Sequence, residues 1–444
     1  MNLTEQKSTS FFLSDRGLML LLWLLALGLR VAYTLWDGLV DSVINPDAYN
    51  YLAAGMEFAR TGQITHDGFP TAQVMPGMPV LIGLLGLFVR ERQALKLACR
   101  ILWILLGSCT PLFYYKSVRL FTSRIWAFLA GCVCLLPNLV QIDCFLVTEG
   151  PYYLFFAMAL YYTLKMGQDP AFRYIWRYAL SVLGALMFRA NILSFLPFTL
   201  LYLLLCGYGW KELLRRALAV CLVLALFIVP WSIRNYRIFH AFIPISYGSG
   251  SPLLEGSYQG PYAISDEALA EAFGPYSAEE EVRQTHPELF DAEGTLLEPQ
   301  LGQYYRLLLD DAGARHRIFC WLRLDPGSFF KSILFRLRYS LNYVWYYSEP
   351  LGITWGMMHR LRQLNLLFCL LSLALAFLLK RRRKVMAFLA LAWTVNFVIV
   401  SATYAGDRYA QMLMAYRYVG AGIGMDLAAE ALRRLHGGKR KGVV

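Results

Sequence analysis

Charged and polar side chains that could do chemistry stand at the ends of long apolar runs in this chain. Two are carboxylates, Asp47 in "INPDAYNYL" and Glu149 in "LVTEGPYY". The others offer cationic or amide groups: Arg189, Arg234, Asn235 and Arg408. A carboxylate can remove the proton from an attacking hydroxyl group, and fixed guanidinium groups can neutralise a leaving phosphate. These residue types predict group transfer from a phosphate-linked donor, provided that the fold brings them to one level.

The composition predicts that this level is a membrane surface. The chain has 444 residues, of which 57% are hydrophobic and 16% are charged, against about 25% charged residues in an ordinary soluble domain. Many apolar runs approach the roughly 20 residues that cross a bilayer as a helix. We therefore predict an all-α, multi-pass membrane protein. The run 17–36 is too long for the core of a signal peptide and lacks a small-residue cleavage site, so we expect an uncleaved first span.

The distribution of lysine and arginine predicts the topology. The run 79–89 would rise only about 16 Å as a helix, and counting it as a span would place several basic loops outside, against the positive-inside rule. If it lies in the interface, five basic segments face the cytoplasm, and so do both termini. The predicted spans are then 17–36, 96–115, 125–142, 150–166, 175–189, 191–206, 213–231, 362–379, 385–403 and 409–428.

This topology divides the chain into three parts. Residues 1–232 form a transmembrane module whose first external loop, 37–95, carries Asp47. Residues 233–360 form a small external region, and residues 361–444 form the last three spans and a basic cytoplasmic tail. Bases and aromatics mix over 329–348, which is typical of a helix lying in the interface; a further span is the alternative.

Several stretches resemble a known family. "NPDAYNYLAAGMEFARTG", "PGMP", "VTEGPYYLFFAMALYYTLK", "GALMFRANILSFLP" and above all "IVPWSIRNYRIFHAFIPIS" resemble bacterial glycosyltransferase family 39 of the GT-C superfamily. That superfamily includes the protein O-mannosyltransferases and the lipid A aminoarabinose transferases. The resemblance covers about the first 250 residues, and more weakly "DRYAQMLMAYRYVG" near the end. It implies a polyprenyl-phosphate sugar donor, an active site on the external face and juxtamembrane helices in the first external loop.

The resemblance also implies roles for individual residues. Asp47 matches the catalytic acid of the first loop, and Glu149 matches the acid that opens the fourth span. Arg234 and Asn235 match an Arg-Asn pair after the seventh span, and Arg408 with the following tyrosine matches a late Arg-Tyr pair. In "MPGMP" two methionines replace a proline and an aromatic residue of the family pattern. The external region after residue 255 matches no family pattern.

Together these observations predict a glycosyltransferase of the inverting type.

 In this reading Asp47 deprotonates the hydroxyl or amine of the acceptor, which attacks the anomeric carbon of the sugar. The phosphate leaves toward Arg189, Arg234 and Arg408, while Glu149 orients the acceptor or the first loop. The remaining residues that we expect at the substrate are Asn235, Tyr409 and Tyr51.

Each of these residues also has an ordinary structural interpretation. Asp47 and Glu149 could cap the helices that they open, because acidic residues favour helix N-termini. Arg189 could extend to lipid headgroups, and Arg408 could pair with the neighbouring Asp407. Tyr51 could be a packing or interfacial aromatic. The order of the motifs along the chain, more than any single residue, favours the catalytic interpretation.

Other function classes find less support in the sequence. The six histidines do not cluster, so we expect no metal, and without a glycine-rich phosphate loop we expect no nucleotide cofactor. The net charge of +12 is explained by cytoplasmic loops, so we expect membrane lipids and no nucleic acid as partners. The acceptor stays open between a glycan, a lipid and a protein. Two rivals remain: a transporter or flippase of lipid-linked sugars, and a non-catalytic subunit of a surface-polysaccharide assembly system. In either case we expect the cell membrane as the location, with the site facing outside.

Overall fold

A computed structural model describes residues 14–37, 46–344, 349–406, 409 and 413–439. Over these residues the protein is built from helices, apart from a two-stranded antiparallel hairpin, so the all-α prediction is confirmed. The elements are α1 (Asp15–Asp37), α2 (Pro46–Thr61), β1 (Thr65–His66), β2 (Phe69–Pro70), α3 (Gly77–Gly86), α4 (Arg92–Arg119), α5 (Arg124–Cys132), α6 (Pro137–Cys144), α7 (Glu149–Met166), α8 (Arg173–Phe188), α9 (Leu196–Leu205), α10 (Trp210–Phe239), α11 (Gly250–Ser257), α12 (Asp266–Phe273), α13 (Ala278–Thr285), α14 (Gly302–Leu324), α15 (Pro326–Asn342), α16 (Trp355–Leu378), α17 (Arg383–Thr403) and α18 (Met414–Lys439).

Each predicted span coincides with helical structure. Five helices in the described part of the chain, α1, α4, α10, α16 and α17, are long and apolar enough to cross a membrane. The segments α5 and α6 would form a sixth span, which is bent by 58°. The bend lies at Leu136, whose backbone is extended, because the residue before a proline is disfavoured in a helix. The other predicted spans fall on α7, α8, α9 and α18.

The first loop folds as a compact helical hairpin. Helix α3 has ten residues and rises only about 15 Å, half the thickness of the hydrocarbon core. It packs closely on α2, because a Cβ atom on Gly83 would lie 2.9 Å from the carbonyl oxygen of Gly55. A side chain at either glycine would push the two helices apart. This contact fixes the helix whose first turn carries Asp47.

The segment between α10 and α16 packs onto the first loop. Its main apolar cluster joins Leu301, Tyr304 and Leu308 to Ala72 of the first loop and to Phe239 at the end of α10. Helix α15 buries polar side chains and exposes apolar ones such as Phe330 and Leu334. An outward apolar face is what a helix in the membrane interface requires. The division of the chain into three parts stays a prediction.

Candidate functional site

Three of the predicted site residues form one cluster. Glu149 is the first residue of α7, and Arg189 follows α8 where the backbone turns extended. Nη1 of Arg189 donates to Oε1 of Glu149 at 2.8 Å and to Oγ1 of Thr148 at 2.9 Å. The Arg189 guanidinium also lies over the ring of Tyr409, 5.0 Å from its centroid. The turn between α8 and α9, the start of α7 and the segment before α18 therefore meet at this cluster.

The burial of this cluster determines what it can do. The Glu149 side chain has no exposed surface, whereas the Arg189 side chain is 17% exposed. A buried carboxylate is tolerated only when a cation and hydrogen bonds compensate it, and Arg189 and Thr148 supply these. Glu149 is thus a fixed anion that holds Arg189 in place. The exposed part of the guanidinium can meet an anionic ligand, since arginine binds phosphate through a planar set of donors.

Arg234 and Asn235 form a second cluster near the end of α10. Arg234 donates to the backbone carbonyls of Thr71 at 2.7 Å and Ile64 at 2.9 Å. The Asn235 side chain is buried, accepts a hydrogen bond from Arg234 and donates to the carbonyl of Ile243. The "PWSIRNY" stretch therefore ties the hairpin of the first loop and the segment after α10 to the end of this helix.

A groove runs beside Arg234. It encloses about 670 Å³ between α3, α10 and the hairpin of the first loop. Its apolar wall includes Val80, Leu226 and Phe227, and cationic Arg234 and Arg237 line it as well. Such a combination suits a molecule with an apolar chain and an anionic head.

The "PGMP" stretch connects the groove to the first cluster. A Cβ atom on Gly77, the first residue of α3, would lie 2.7 Å from the backbone carbon of Met187. Met187 lines the groove and lies two residues before Arg189. Only a glycine allows α3 to approach the end of α8 this closely.

The structure places the remaining predicted residues as follows. Asp47 lies partly buried in the first turn of α2, and Tyr51, one turn later, packs against the main apolar core. Arg408 lies outside the described residues. The catalytic role of Asp47 stays a prediction.

An ion pair inside the bundle was not predicted. Arg30 of α1 donates to Oδ2 of Asp143 of α6 through Nε at 3.0 Å and through Nη2 at 2.6 Å, and both side chains are buried. A Cβ atom on Gly107 would lie 2.5 Å from the same carboxylate, and one on Gly150 would lie 3.3 Å from Oδ1. The pair therefore lies beside the start of α7, next to Glu149. The available signal was a lone charge at each position: Arg30 lies within the apolar run 17–36, and Asp143 directly follows the run 125–142.

A second buried pair lies where α1 ends. The guanidinium of Arg100, on α4, lies 3.5 Å from the carboxylate of Asp37 and donates to the carbonyl of Cys144 at 3.2 Å. Arg100 stands near the start of the predicted span 96–115, and its side chain is buried between helices. The pair fixes the point at which the chain leaves α1 for the first loop.

The described residues contain no cluster of three or more His, Cys, Asp or Glu side chains that could hold a metal ion.

Comparison with known proteins supports the fold. No protein-family model and no curated protein matches the chain. The oligosaccharyltransferase of Archaeoglobus fulgidus in its apo form matches with a TM-score of 0.58 at 15% identity, over 97% of this chain and 52% of that one. The same organism's AglB with an inhibitory peptide and a dolichol-phosphate gives a TM-score of 0.55 at 15% identity, with the same coverage. ArnT from Cupriavidus metallidurans, bound to undecaprenyl phosphate, matches 94% of this chain and 77% of its own length at 14% identity, with a TM-score of 0.39.

The chain spans about half the length of the archaeal structures. At these identities the similarity concerns the fold. The chain therefore shares its fold with the archaeal oligosaccharyltransferase structures.

Proposed function

We propose that this protein is a membrane glycosyltransferase that moves a sugar from a polyprenyl-phosphate donor to an acceptor on the external face of the membrane. The observation that carries the proposal is the cluster of Glu149, Arg189 and Tyr409. It gives a membrane fold of the GT-C type a partly exposed cation, held in position, that can receive a phosphate group. The archaeal protein of the same fold was solved with a dolichol-phosphate and a peptide, which supports a lipid-linked donor here.

The proposed reaction is a displacement at the anomeric carbon of the sugar. Asp47 takes the proton of the acceptor hydroxyl or amine, whose oxygen or nitrogen then bonds to the anomeric carbon. The bond from that carbon to the phosphate oxygen breaks, and its electron pair leaves with the polyprenyl phosphate. Arg189 and Arg408 stabilise the charge of the leaving phosphate. A single displacement of this kind inverts the anomeric configuration.

The other described features support this assignment. The apolar wall of the groove beside Arg234 suits part of a polyprenyl chain. Arg234 and Asn235 hold the first loop against α10, so their main contribution is to position the loop that carries Asp47. Residues 233–360 cover this loop and shape the choice of acceptor.

Replacement of Asp47 tests the proposal. We expect Asp47→Asn to slow sugar transfer about 10²- to 10⁴-fold, the usual contribution of a general base. The matched control is Glu57→Gln, which alters an acid on the same helix that pairs with Arg60 at the surface. The assay follows labelled sugar from a panel of prenyl-phosphate sugars to acceptors in membranes that contain the protein. Transfer by Asp47→Asn at the wild-type rate would show that the mechanism is wrong.

One observation favours the alternative of a flippase for lipid-linked sugars. Transporters use discontinuous membrane helices, and the α5–α6 span is bent by 58° at a break. A flippase would move a labelled lipid-linked sugar across the bilayer of a proteoliposome without transferring the sugar. Lipid movement that persists in a protein showing no sugar transfer to any acceptor would favour this alternative.

A further inference from the structure

Two buried arginines lie together at the starts of α16 and α18. The Arg362 and Arg417 side chains are 7% and 4% exposed. Nη2 of Arg417 donates to the carbonyl oxygen of Arg362 at 2.7 Å, and Nη2 of Arg362 donates to the carbonyl of Ser340 at 3.0 Å. Within the described part of the chain, neither guanidinium pairs with a carboxylate. Every other fully buried arginine side chain discussed above has a carboxylate beside it.

The hydrogen bonds to these guanidinium groups are incomplete. A guanidinium carries five N–H donors, yet the Ser340 carbonyl is the one described oxygen that accepts from the Arg362 side chain. The Nε atoms of Arg362 and Arg417 are buried, and neither has a partner among the described residues. Carbonyl oxygens also leave the two positive charges uncompensated, and like charges repel strongly where water is excluded.

A cavity adjoins Arg362. It encloses about 120 Å³ between the broken span α5–α6, α16 and α18. Its polar lining consists of Arg362, Asn138, Asn365 and Tyr418. Asn138 is buried, and its side-chain oxygen has no hydrogen-bond partner among the described residues. A water molecule occupies about 30 Å³ in the liquid, so the cavity has room for a small tetrahedral ion.

We propose that this cavity is a binding subsite for a phosphate group. The Arg362 guanidinium donates to the phosphate oxygens, the side-chain oxygen of Asn138 accepts a hydrogen bond from the hydroxyl group of a singly protonated phosphate, and Arg417 lies behind Arg362 and adds to the positive potential. Bound phosphate accepts a hydrogen bond from the buried Nε of Arg362. Its negative charge also neutralises the two guanidinium groups, whereas the surrounding carbonyl groups carry no net charge. A guanidinium suits this task because its donors match the spacing of phosphate oxygens.

The phosphate can come from a lipid headgroup or from free phosphate. Arg417 lies in the first turn of α18 and Arg362 about two turns into α16, while Glu149 opens α7; by the predicted topology all three helices begin on the external side. The proposal does not rest on sugar transfer, because it concerns binding that is measured without turnover.

Binding of defined phosphates to the purified full-length chain tests the subsite. The probes are farnesyl phosphate, inorganic phosphate and, as a neutral match, farnesol, each titrated calorimetrically in a non-ionic detergent. We expect wild type to bind farnesyl phosphate more tightly than farnesol, and Arg362→Gln to weaken that binding about tenfold or more. The matched control is Arg381→Gln, which removes an exposed arginine paired with Glu430 and leaves the affinity unchanged.

The two sources of phosphate give different results. If Arg362→Gln also weakens the binding of inorganic phosphate, the subsite takes free phosphate; if wild type binds farnesyl phosphate but not inorganic phosphate, and Arg362→Gln weakens that binding, it takes a lipid phosphate. Either result supports the subsite. No binding of either phosphate by wild type, or equal affinities in wild type and Arg362→Gln, would overturn it.

Two milder variants keep the test valid in case Arg362→Gln does not fold. Arg362→Lys keeps the charge but loses the planar donors, and Asn138→Leu removes the second contact at similar volume. Each is expected to weaken the binding of farnesyl phosphate several-fold while eluting as a single species in gel filtration. Wild-type affinity in both variants would overturn the proposal even if Arg362→Gln does not fold. Loss of the subsite with sugar transfer intact would leave the proposed function standing.

Discussion

The Glu149–Arg189 pair leads to a prediction that can be worked out from its burial. Arg189→Ala removes a 2.8 Å ion pair from the Glu149 carboxylate, which has no exposed surface. Breaking a buried ion pair by removing one partner costs about 3–5 kcal/mol. Glu149→Gln removes the negative charge but keeps a hydrogen-bond acceptor, and the partly exposed Arg189 can bind water instead. We therefore expect the free energy of unfolding to fall by about 1–3 kcal/mol.

The double variant measures the interaction itself. With both partners changed, no unpaired charge stays buried, so we expect a coupling free energy of about 2–3 kcal/mol, near the upper end for residues in contact. The assay is the free energy of unfolding of the purified protein in mixed micelles. The control cycle uses Glu57 and Arg60, an exposed pair whose coupling should be under about 1 kcal/mol. A loss below about 1 kcal/mol in Arg189→Ala, or additive effects in the double variant, would refute the reasoning.

Three further predictions concern other contacts. Asp143→Asn removes the counter-charge of buried Arg30, so the free energy of unfolding in mixed micelles should fall by about 3–5 kcal/mol. Gly55→Val places a side chain against α3, where even a Cβ atom would lie 2.5 Å from another Cβ; it should displace the first loop and lower sugar transfer at least about tenfold. Glu281 lies on α13, outside the spans. Burial raises its pKa, but hydrogen bonds from a tyrosine and from Arg315, with the charge of that arginine, outweigh burial and lower the pKa below the ordinary 4.5. A carboxyl group whose pKa is depressed by folding stabilises the folded state above its unfolded pKa, and this contribution is lost as the pH falls through the folded pKa. Glu281→Gln should therefore weaken the acid dependence of unfolding below about pH 4.5, measured as melting temperature against pH.

Opposite results are equally clear. Asp143→Asn as stable as wild type would mean that Arg30 needs no counter-charge. Normal sugar transfer by Gly55→Val would separate the packing of α2 from the chemistry. An unchanged acid dependence in Glu281→Gln would assign the loss of stability at low pH to other carboxylates.

The helices were predictable because membrane solvation leaves a strong pattern in sequence. Apolar runs of near-spanning length gave every predicted span, and the shortness of 79–89 correctly predicted that α3 is a juxtamembrane helix rather than a span. The run 125–142 was predicted as one span, but Pro137 breaks it into α5 and α6. A sequence pattern reports hydrophobicity averaged over a run, so it does not show how sharply the axis bends at one residue.

The lateral arrangement was only partly predictable. Membrane depth brought Glu149 and Arg189 to one level, and the structure joins them. The ligand role of Arg234 stays a prediction, whereas its hydrogen bonds to the carbonyls of two loop residues were not predictable, because backbone acceptors leave no mark on residue type. Arg30 and Asp143 are 113 positions apart, and depth alone does not show which helices are neighbours around the bundle.

The Arg30–Asp143 pair also has a consequence for how the chain is made. Arg30 lies in α1, and its partner is synthesised 113 residues later, which at ribosomal speed is roughly 6–23 seconds. An arginine at the centre of a membrane helix costs about 2.5–3.5 kcal/mol on scales from translocon-mediated insertion. Over that interval the lone charge of Arg30 opposes the final depth of α1, and the arrival of α6 supplies the carboxylate that stabilises it.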